Sequence, residues 1–385
     1  MLYLDHAATS WPKPPSVIKA ITEALDSAGG NPGRGSHALA DTAARCLTNC
    51  RISLARLLKV SAPERVVFTS GTTEGVNMVL KGTITQGQTV ASSSMEHNAV
   101  MRPLTSLGRD RGVELRTVSA DAEGYLNLDE LAEVVEAVDA LVVCHASNVT
   151  GTLQDLPRIA EIVARSKRRP WFVVDGAQTV GLVPIDLEEL GIDALVFSGH
   201  KALLGPMGTG AVALGPRLAE HVRPWLEGGT GSRSEQLEQP QELPERLESG
   251  TPNTPGIAGL AAAVEYVERV GLDEIASIER ERIGQLWERI EGTEGIELYG
   301  PPPGKPRTGV LSFNVSGQHP ADVAAALDGA FEVACRAGLH CAPMAHRTIG
   351  TFPTGTVRLS VGHLTTEEEI EQAAEAVCSV TEMGE

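Results

Sequence analysis

The chain has 385 residues, 42% hydrophobic and 21% charged, which is ordinary for a soluble globular protein and long enough for two domains. Its formal net charge of -18 weighs against nucleic acid or an anionic membrane as partner, because phosphate binding needs Lys and Arg. No apolar run approaches membrane-spanning length, and "MLYLDHAATSW" lacks a basic region followed by an apolar stretch, so the expected location is cytoplasmic.

The first helical pattern is "DTAARCLTNCRISLARLL", with Cys46 and Cys50 at i and i+4. They read as half-buried helix residues, because no second pair or His motif completes a metal set. Six cysteines in a chain of this length are not a disulfide framework. From about residue 64 to 215, β-branched runs alternate with helical patterns: "RVVFTS", "TVASSS", "VELRTV", "ALVVCHA", "WFVVDG", "ALVFSG" and "GAVALG". This alternation predicts an α/β fold with a mostly parallel sheet wrapped by helices. From about 216 to 256 the chain turns polar and rich in Gly and Pro, which reads as a long functional or interfacial loop. Helical stretches follow, "GIAGLAAAVEYVERV" and "DEIASIERERIGQLWERIEG". The runs "GVLSFNV", "FEVACR" and "TVRLSV" then predict strands of a smaller α+β domain, and "TTEEEIEQAAEAVCSV" a final helix. The expected division is a large domain over 15–255 and a small one from 1–14 and 256–385.

Parallel sheets bind ligands beyond the carboxyl ends of their strands, so those residues carry the functional signal. After the first run, "FTSGTTEGVN" opens a helix with Thr72 and Thr73. Free amides there suit phosphate, although a plain Ser/Thr cap has the same appearance. It is not a P-loop, since no GK[ST] follows. "SSSMEHNAV" begins like HExxH at Glu96-His97, but position 101 is Met, which excludes that zinc helix. Asn148 follows "ALVVCHA". Asp175 ends "WFVVD", with Gln178 three residues on. Ser198, His200 and Lys201 follow "ALVF". Apolar neighbours should lower the pKa of Lys201, as a Schiff-base lysine requires. A phosphate cradle, an acid and a lysine in this order suggest pyridoxal phosphate, which needs a lysine imine, a carboxylate on its ring nitrogen and a phosphate site.

The motifs "YLDHAAT", "SGTTEGVN", "EHNA", "SNVTG", "VDGAQ", "FSGHK", "GPMGTG", "SGTPNT" and "RAGLHCA" resemble those of group II cysteine desulfurases, in the class V aminotransferase superfamily of fold type I pyridoxal phosphate enzymes. The resemblance runs from about residue 3 to 360. It implies a seven-stranded large domain and a small domain carrying a cysteine loop. It makes Lys201 the Schiff-base lysine and puts Asp175 on the pyridinium nitrogen. Gln178 is implied near the phenolic oxygen, and His97 stacked on the ring. Thr72, Thr73, Ser198 and His200 would hold the phosphate. Thr251 would reach the phosphate of a neighbouring subunit, which implies a homodimer. Arg358 and Asn148 would take the substrate carboxylate, with Arg336 and His37 as weaker pocket candidates.

The stretch "RAGLHCAPMAH" leaves three readings for Cys341: metal ligand, core residue or nucleophile. His340 and Cys341 are adjacent and cannot easily face one metal, and no CxxC supplies the rest. The core reading suits Cys335 better, on one face with Phe331 and Val333 at period two. Cys341 lies beyond that strand on a predicted loop, where nearby Arg336 or a protonated His would favour a thiolate. The resemblance implies that this thiolate attacks the sulfur of bound L-cysteine, leaving a persulfide and alanine. The persulfide would pass to a sulfur-acceptor protein or a small thiol. L-selenocysteine is an alternative substrate. A class V aminotransferase or lyase without sulfur transfer would not need Cys341, and a non-catalytic scaffold would need neither Cys341 nor Lys201.

Overall fold

A computed structural model describes residues 1–382 except 34, 36 and 234. Local sequence sets its elements. The runs "ALVVC" and "ALVFS" are largely apolar and β-branched or aromatic, and all five residues of each are buried, as strands covered on both faces require. The helix Leu156–Arg165 buries Leu156, Ile159, Ala160 and Val163, which recur at helical spacing. Asp155 caps it, accepting a hydrogen bond from the Arg158 amide at 3.0 Å.

In chain order the strands are β1 (Leu2–Tyr3), β2 (Val66–Thr69), β3 (Thr89–Ser93), β4 (Glu114–Val118), β5 (Ala140–Cys144), β6 (Trp171–Asp175), β7 (Ala194–Ser198), β8 (Gly210–Leu214), β9 (Ile296–Tyr299), β10 (Val310–Val315), β11 (Val333–Ala334), β12 (Arg336–Gly338) and β13 (Thr356–Ser360). The large sheet has the order β2-β8-β7-β6-β5-β3-β4. Its seven strands are those the sequence predicts. β8 runs antiparallel to both β2 and β7, and every other pairing is parallel. The carboxyl ends of β2, β3, β5, β6 and β7 therefore share one edge. Alternation along the strands feeds two cores. Leu141, Val143 and Phe172 pack on one face with Leu54 and Ile159, and Val142 and Val173 on the other with Val79 and Leu104.

The second sheet, β12-β13-β10-β9, is antiparallel throughout. Its core gathers Leu4, Phe313, Leu327, Val357 and Val377. β1 pairs with β11, and a bridge from Asp5 to Ser360 lays the N-terminal segment against β13. The helix Thr254–Val270 crosses the expected boundary at 255, and its Ile257, Leu260 and Val264 enter the core of the large sheet. No helix among the described residues is long and apolar enough to cross a membrane.

One predicted strand is replaced in part. "FEVACR" does not run as one strand, because the helix Pro320–Phe331 continues through Phe331 and Glu332 turns the chain in the left-handed region at φ 54°. β11 keeps only two residues. The three side chains still meet one core: Val333 is buried there, and Phe331 and Cys335 pack against it partly buried.

Candidate active site

The shared carboxyl edge of the large sheet encloses a cavity. Thr72, Thr73, His97, Asn148, Asp175, Gln178, Ser198 and Lys201 line it, with Met95 and Cys144 among the apolar and thiol walls. Eight residues singled out in the sequence thus meet at one place, each just beyond or at the end of a parallel strand. The helix Thr72–Thr83 opens toward it without a side-chain cap from Gly71. The Thr72 amide donates to Ser198 Oγ at 2.9 Å, and the two hydroxyls lie 2.8 Å apart. The amides of Thr73 and Glu74 have no acceptor among the described residues. Gly71 sits against Ser198, and a Cβ there would come within 3.2 Å of its Oγ.

Asp175 is buried at the end of β6 and accepts one hydrogen bond, from the Ala177 amide at 2.9 Å. Burial raises its carboxyl above the usual range, and that amide and Lys201 oppose the shift. Lys201 Nζ has no hydrogen bond among the described residues. Burial pushes its ammonium down to about 8; Asp175 opposes this, while Arg358 and Arg336 add to it. Burial, followed by Lys201 and Arg336, takes His97 down to about 4, so its ring is neutral near pH 7. His97 Nδ1 accepts the Ala99 amide at 3.0 Å, which leaves the proton on Nε2. Gln178 Nε2 donates to the Ala7 carbonyl at 3.0 Å and tethers the N-terminal segment to this wall.

Cys341 lies on a loop held by Asn148 of the cavity wall. It is the one exposed cysteine among the six, and Arg336 Nη2 lies 3.7 Å from its Sγ. Its loop is fixed from the large sheet. Asn98 N donates to the Cys341 carbonyl at 2.7 Å, and Asn148 Nδ2 to the His340 carbonyl at 2.8 Å. His340 is buried, with Nε2 3.1 Å from the Thr356 carbonyl, and His346 Nδ1 lies 2.7 Å from Thr351 Oγ1. Burial takes their imidazoles down to about 2 and about 4, so both serve as neutral packing groups behind the loop. Among the described residues no three His, Cys, Asp or Glu side chains group as a metal site.

A class-V aminotransferase model matches residues 2–373. The chain belongs to the class-V aminotransferase family. Among curated members, a probable cysteine desulfurase of Methanothermobacter thermautotrophicus is 34% identical, over 100% of this chain and 95% of the relative. A cysteine desulfurase of Salmonella agona is 35% identical over 97% of this chain and 91% of its own length. Among solved structures, the apo cysteine desulfurase of Thermococcus onnurineus superposes with TM-score 0.92 at 32% identity, covering 99% of this chain and 95% of that one. A cysteine desulfurase of Escherichia coli gives TM-score 0.89 at 29% identity, over 99% and 95%.

Members of this class-V aminotransferase family use pyridoxal phosphate, and the residues present fit it. The uncapped amides of Thr73 and Glu74 offer donors for a phosphate. The Asp175 carboxylate and the unbonded amine of Lys201 face one cavity between them. His200 does not line that cavity; its carbonyl instead anchors the N-terminal segment, accepting from Ser10 N and Lys13 Nζ. His37 is exposed and caps the helix Ala38–Leu57, and Thr251 is exposed on a groove with Gly33, Trp225 and Thr230. Neither reaches the cavity of its own chain.

Two site residues of this class-V aminotransferase escaped the sequence reading. Asp5 accepts from Arg358 Nη2 at 2.5 Å, while Arg358 Nη1 donates to the Asn148 carbonyl at 3.0 Å. Arg358 is 1% exposed and Asp5 21%, so Asp5→Asn would strand a buried cation. A loss of about 3 kcal/mol in folding stability is expected, read from denaturant midpoints. Glu96 is fully buried behind Asp175, accepting from Ser93 Oγ at 2.5 Å and Cys144 N at 2.7 Å. Burial pushes it up to about 8, so near pH 7 it is a neutral neighbour. Only its place in "MEHNA" marked it.

Proposed function

We propose that the protein is a pyridoxal-phosphate-dependent cysteine desulfurase, acting as a cytoplasmic homodimer, that converts L-cysteine to L-alanine and leaves the sulfur on Cys341. One observation carries this reading: an exposed thiol beside Arg336 sits on a loop tied down by Asn148, a wall residue of the cavity that holds an unbonded lysine amine. The names of full-length relatives support the reaction class. Six free cysteines suit a reducing compartment. The exposed Thr251 groove supports pairing with a second copy.

Asp175 would hold the ring nitrogen, Gln178 and His97 the ring, and Thr72, Thr73, Ser198 and His200 the phosphate. When bound, the cofactor withdraws electrons from the substrate's Cα. Arg358 would exchange the Asp5 carboxylate for that of L-cysteine, with Asn148 beside it. Lys201 Nζ would take the Cα proton, its lowered proton affinity leaving a useful neutral fraction near pH 8. The Cys341 thiolate would then attack the substrate sulfur. A new S–S bond forms, the Cβ–S bond breaks, and protons returned to carbon complete alanine. A cysteine in and a persulfide plus alanine out balance without an external oxidant. A sulfur-acceptor protein or small thiol would regenerate Cys341.

The test is the purified protein with pyridoxal phosphate, L-cysteine and dithiothreitol. Alanine and sulfide are expected in equal amounts. Pyruvate with sulfide, or no cofactor absorbance at all, overturns the reading.

A further inference from the structure

Lys201 and Gln178 also line a second cavity, one that Asp175 does not line. His6, Ser10, Glu279 and Ser360 complete its polar wall, and its volume is about 30 Å³. A water needs roughly 10–15 Å³ on the same measure, so the space holds one or two. Its lining is not self-sufficient in hydrogen bonds. The Glu279 side chain is partly buried and has no hydrogen bond among the described residues, and His6 Nδ1 is buried without a partner. By contrast, Ser360 Oγ bonds Ala7 N and the Leu4 carbonyl, and Ser10 Oγ bonds Lys13 and the His200 carbonyl.

Glu279 is oddly placed for an acid. It lies on the helix Leu272–Ile290, whose buried residues include Ile275, Ala276, Ile283 and Leu286, so it shares their face at i+4, i+3, i-4 and i-7. Two backbone glycines make room for these groups. A Cβ at Gly309 would come within 3.1 Å of Glu279 Oε2, and one at Gly362 within 2.5 Å of His6 Nδ1. A carboxylate inserted into an apolar stripe and left without a protein partner needs water.

We propose that this second cavity is a hydrated proton-exchange compartment in which Glu279 carries protons between Lys201 Nζ and solvent. The inference rests on the reading of Lys201 as the residue that takes the substrate's Cα proton. An N–H proton of Lys201 passes to cavity water, and that water passes one to the Glu279 carboxylate, which releases it to solvent. The reverse path reloads the lysine. No electrons move, and both groups are regenerated. Burial brings both groups to about 8, Glu279 from below and Lys201 from above, so transfer between them is nearly even in energy.

The experiment follows isotope rather than rate. Holoenzyme is incubated with L-alanine in D₂O, where no sulfur chemistry occurs, and Cα–H exchange is followed by NMR. Wild type is expected to exchange readily, and Glu279→Gln roughly tenfold more slowly at unchanged cofactor absorbance. Glu279→Asp should fall between them. L-cysteine turned over in D₂O gives a second measure, as protium retained in the alanine should rise in Glu279→Gln. The cofactor-free protein supplies a third: a protonated carboxylic-acid C=O infrared band at neutral pH that Glu279→Gln lacks. Exchange equal to wild type in whichever variant folds overturns the compartment. Should wild type itself bind no cofactor, or Lys201→Ala exchange as fast as wild type, the reading of Lys201 fails instead.

Discussion

Lys201→Ala is expected to remain colourless after dialysis against pyridoxal phosphate and to lose L-cysteine turnover by at least ~10⁴-fold, the upper range for a single acid–base group. Two functions leave with one side chain. The amine that would hold the cofactor covalently is gone, and so is the base for the Cα proton. The surroundings point the same way. Lys201 has no hydrogen bond to satisfy, faces Asp175 across the cavity, and is held near 8 by burial. Below that pH the ammonium dominates and cannot attack an aldehyde; above it the free amine does. Cofactor uptake by the wild-type apo-protein should therefore quicken as pH rises through about 8 and then level off. Stopped-flow absorbance checks both points. A Lys201→Ala protein that turned yellow and consumed cysteine would place the imine elsewhere.

The large sheet was legible because its strands are buried on both faces and read as near-continuous apolar runs. The residues at their ends then fall together by topology alone, so Thr72, His97, Asn148, Asp175, Ser198 and Lys201 could be gathered from local sequence. Contacts from distant segments could not. Asp5 sits next to β1 and meets Arg358 only because the N-terminal segment lies along β13, which no local pattern announces. The break in "FEVACR" had the same origin: strand propensity at Phe331 yielded to the helix that begins at Pro320. Glu279 was visible in principle, as an acid inside the stripe Ile275, Ala276, Ile283 and Leu286. The helical pattern of "DEIASIERERIGQLW" does not by itself show that this acid lacks a partner. His340 and His346 were ambiguous in sequence, since the spacing of His, Cys and His suits a metal as well as a packed loop. Their buried bonds to Thr356 and Thr351 resolve them as supports.

Cys341→Ala should abolish sulfide production, by at least ~10³-fold, while leaving cofactor absorbance and Cα proton exchange intact. The substitution is clean because the thiol does not hold its own loop. His340 and Cys341 both take the left-handed conformation, at φ 47° and 59°, an arrangement that costs on the order of 1–3 kcal/mol per residue. It is held by Asn98 N on the Cys341 carbonyl, Asn148 on the His340 carbonyl and the His340 ring on Thr356. All of these survive in the variant, so an alanine at this position would keep the backbone and lack only sulfur. No other cysteine is placed to substitute. Cys335 is half-buried beside Asp5 and pushed up to about 12 by burial, and Cys144, in the cavity wall, is raised well above the usual thiol range. Mass spectrometry of wild type after one turnover without reductant should find one added sulfur on the peptide containing Cys341 and none on those containing Cys144 or Cys335. Wild-type sulfide release from Cys341→Ala would mean that C–S cleavage needs no thiolate on this loop, and the protein would then be a lyase built on the same cavity.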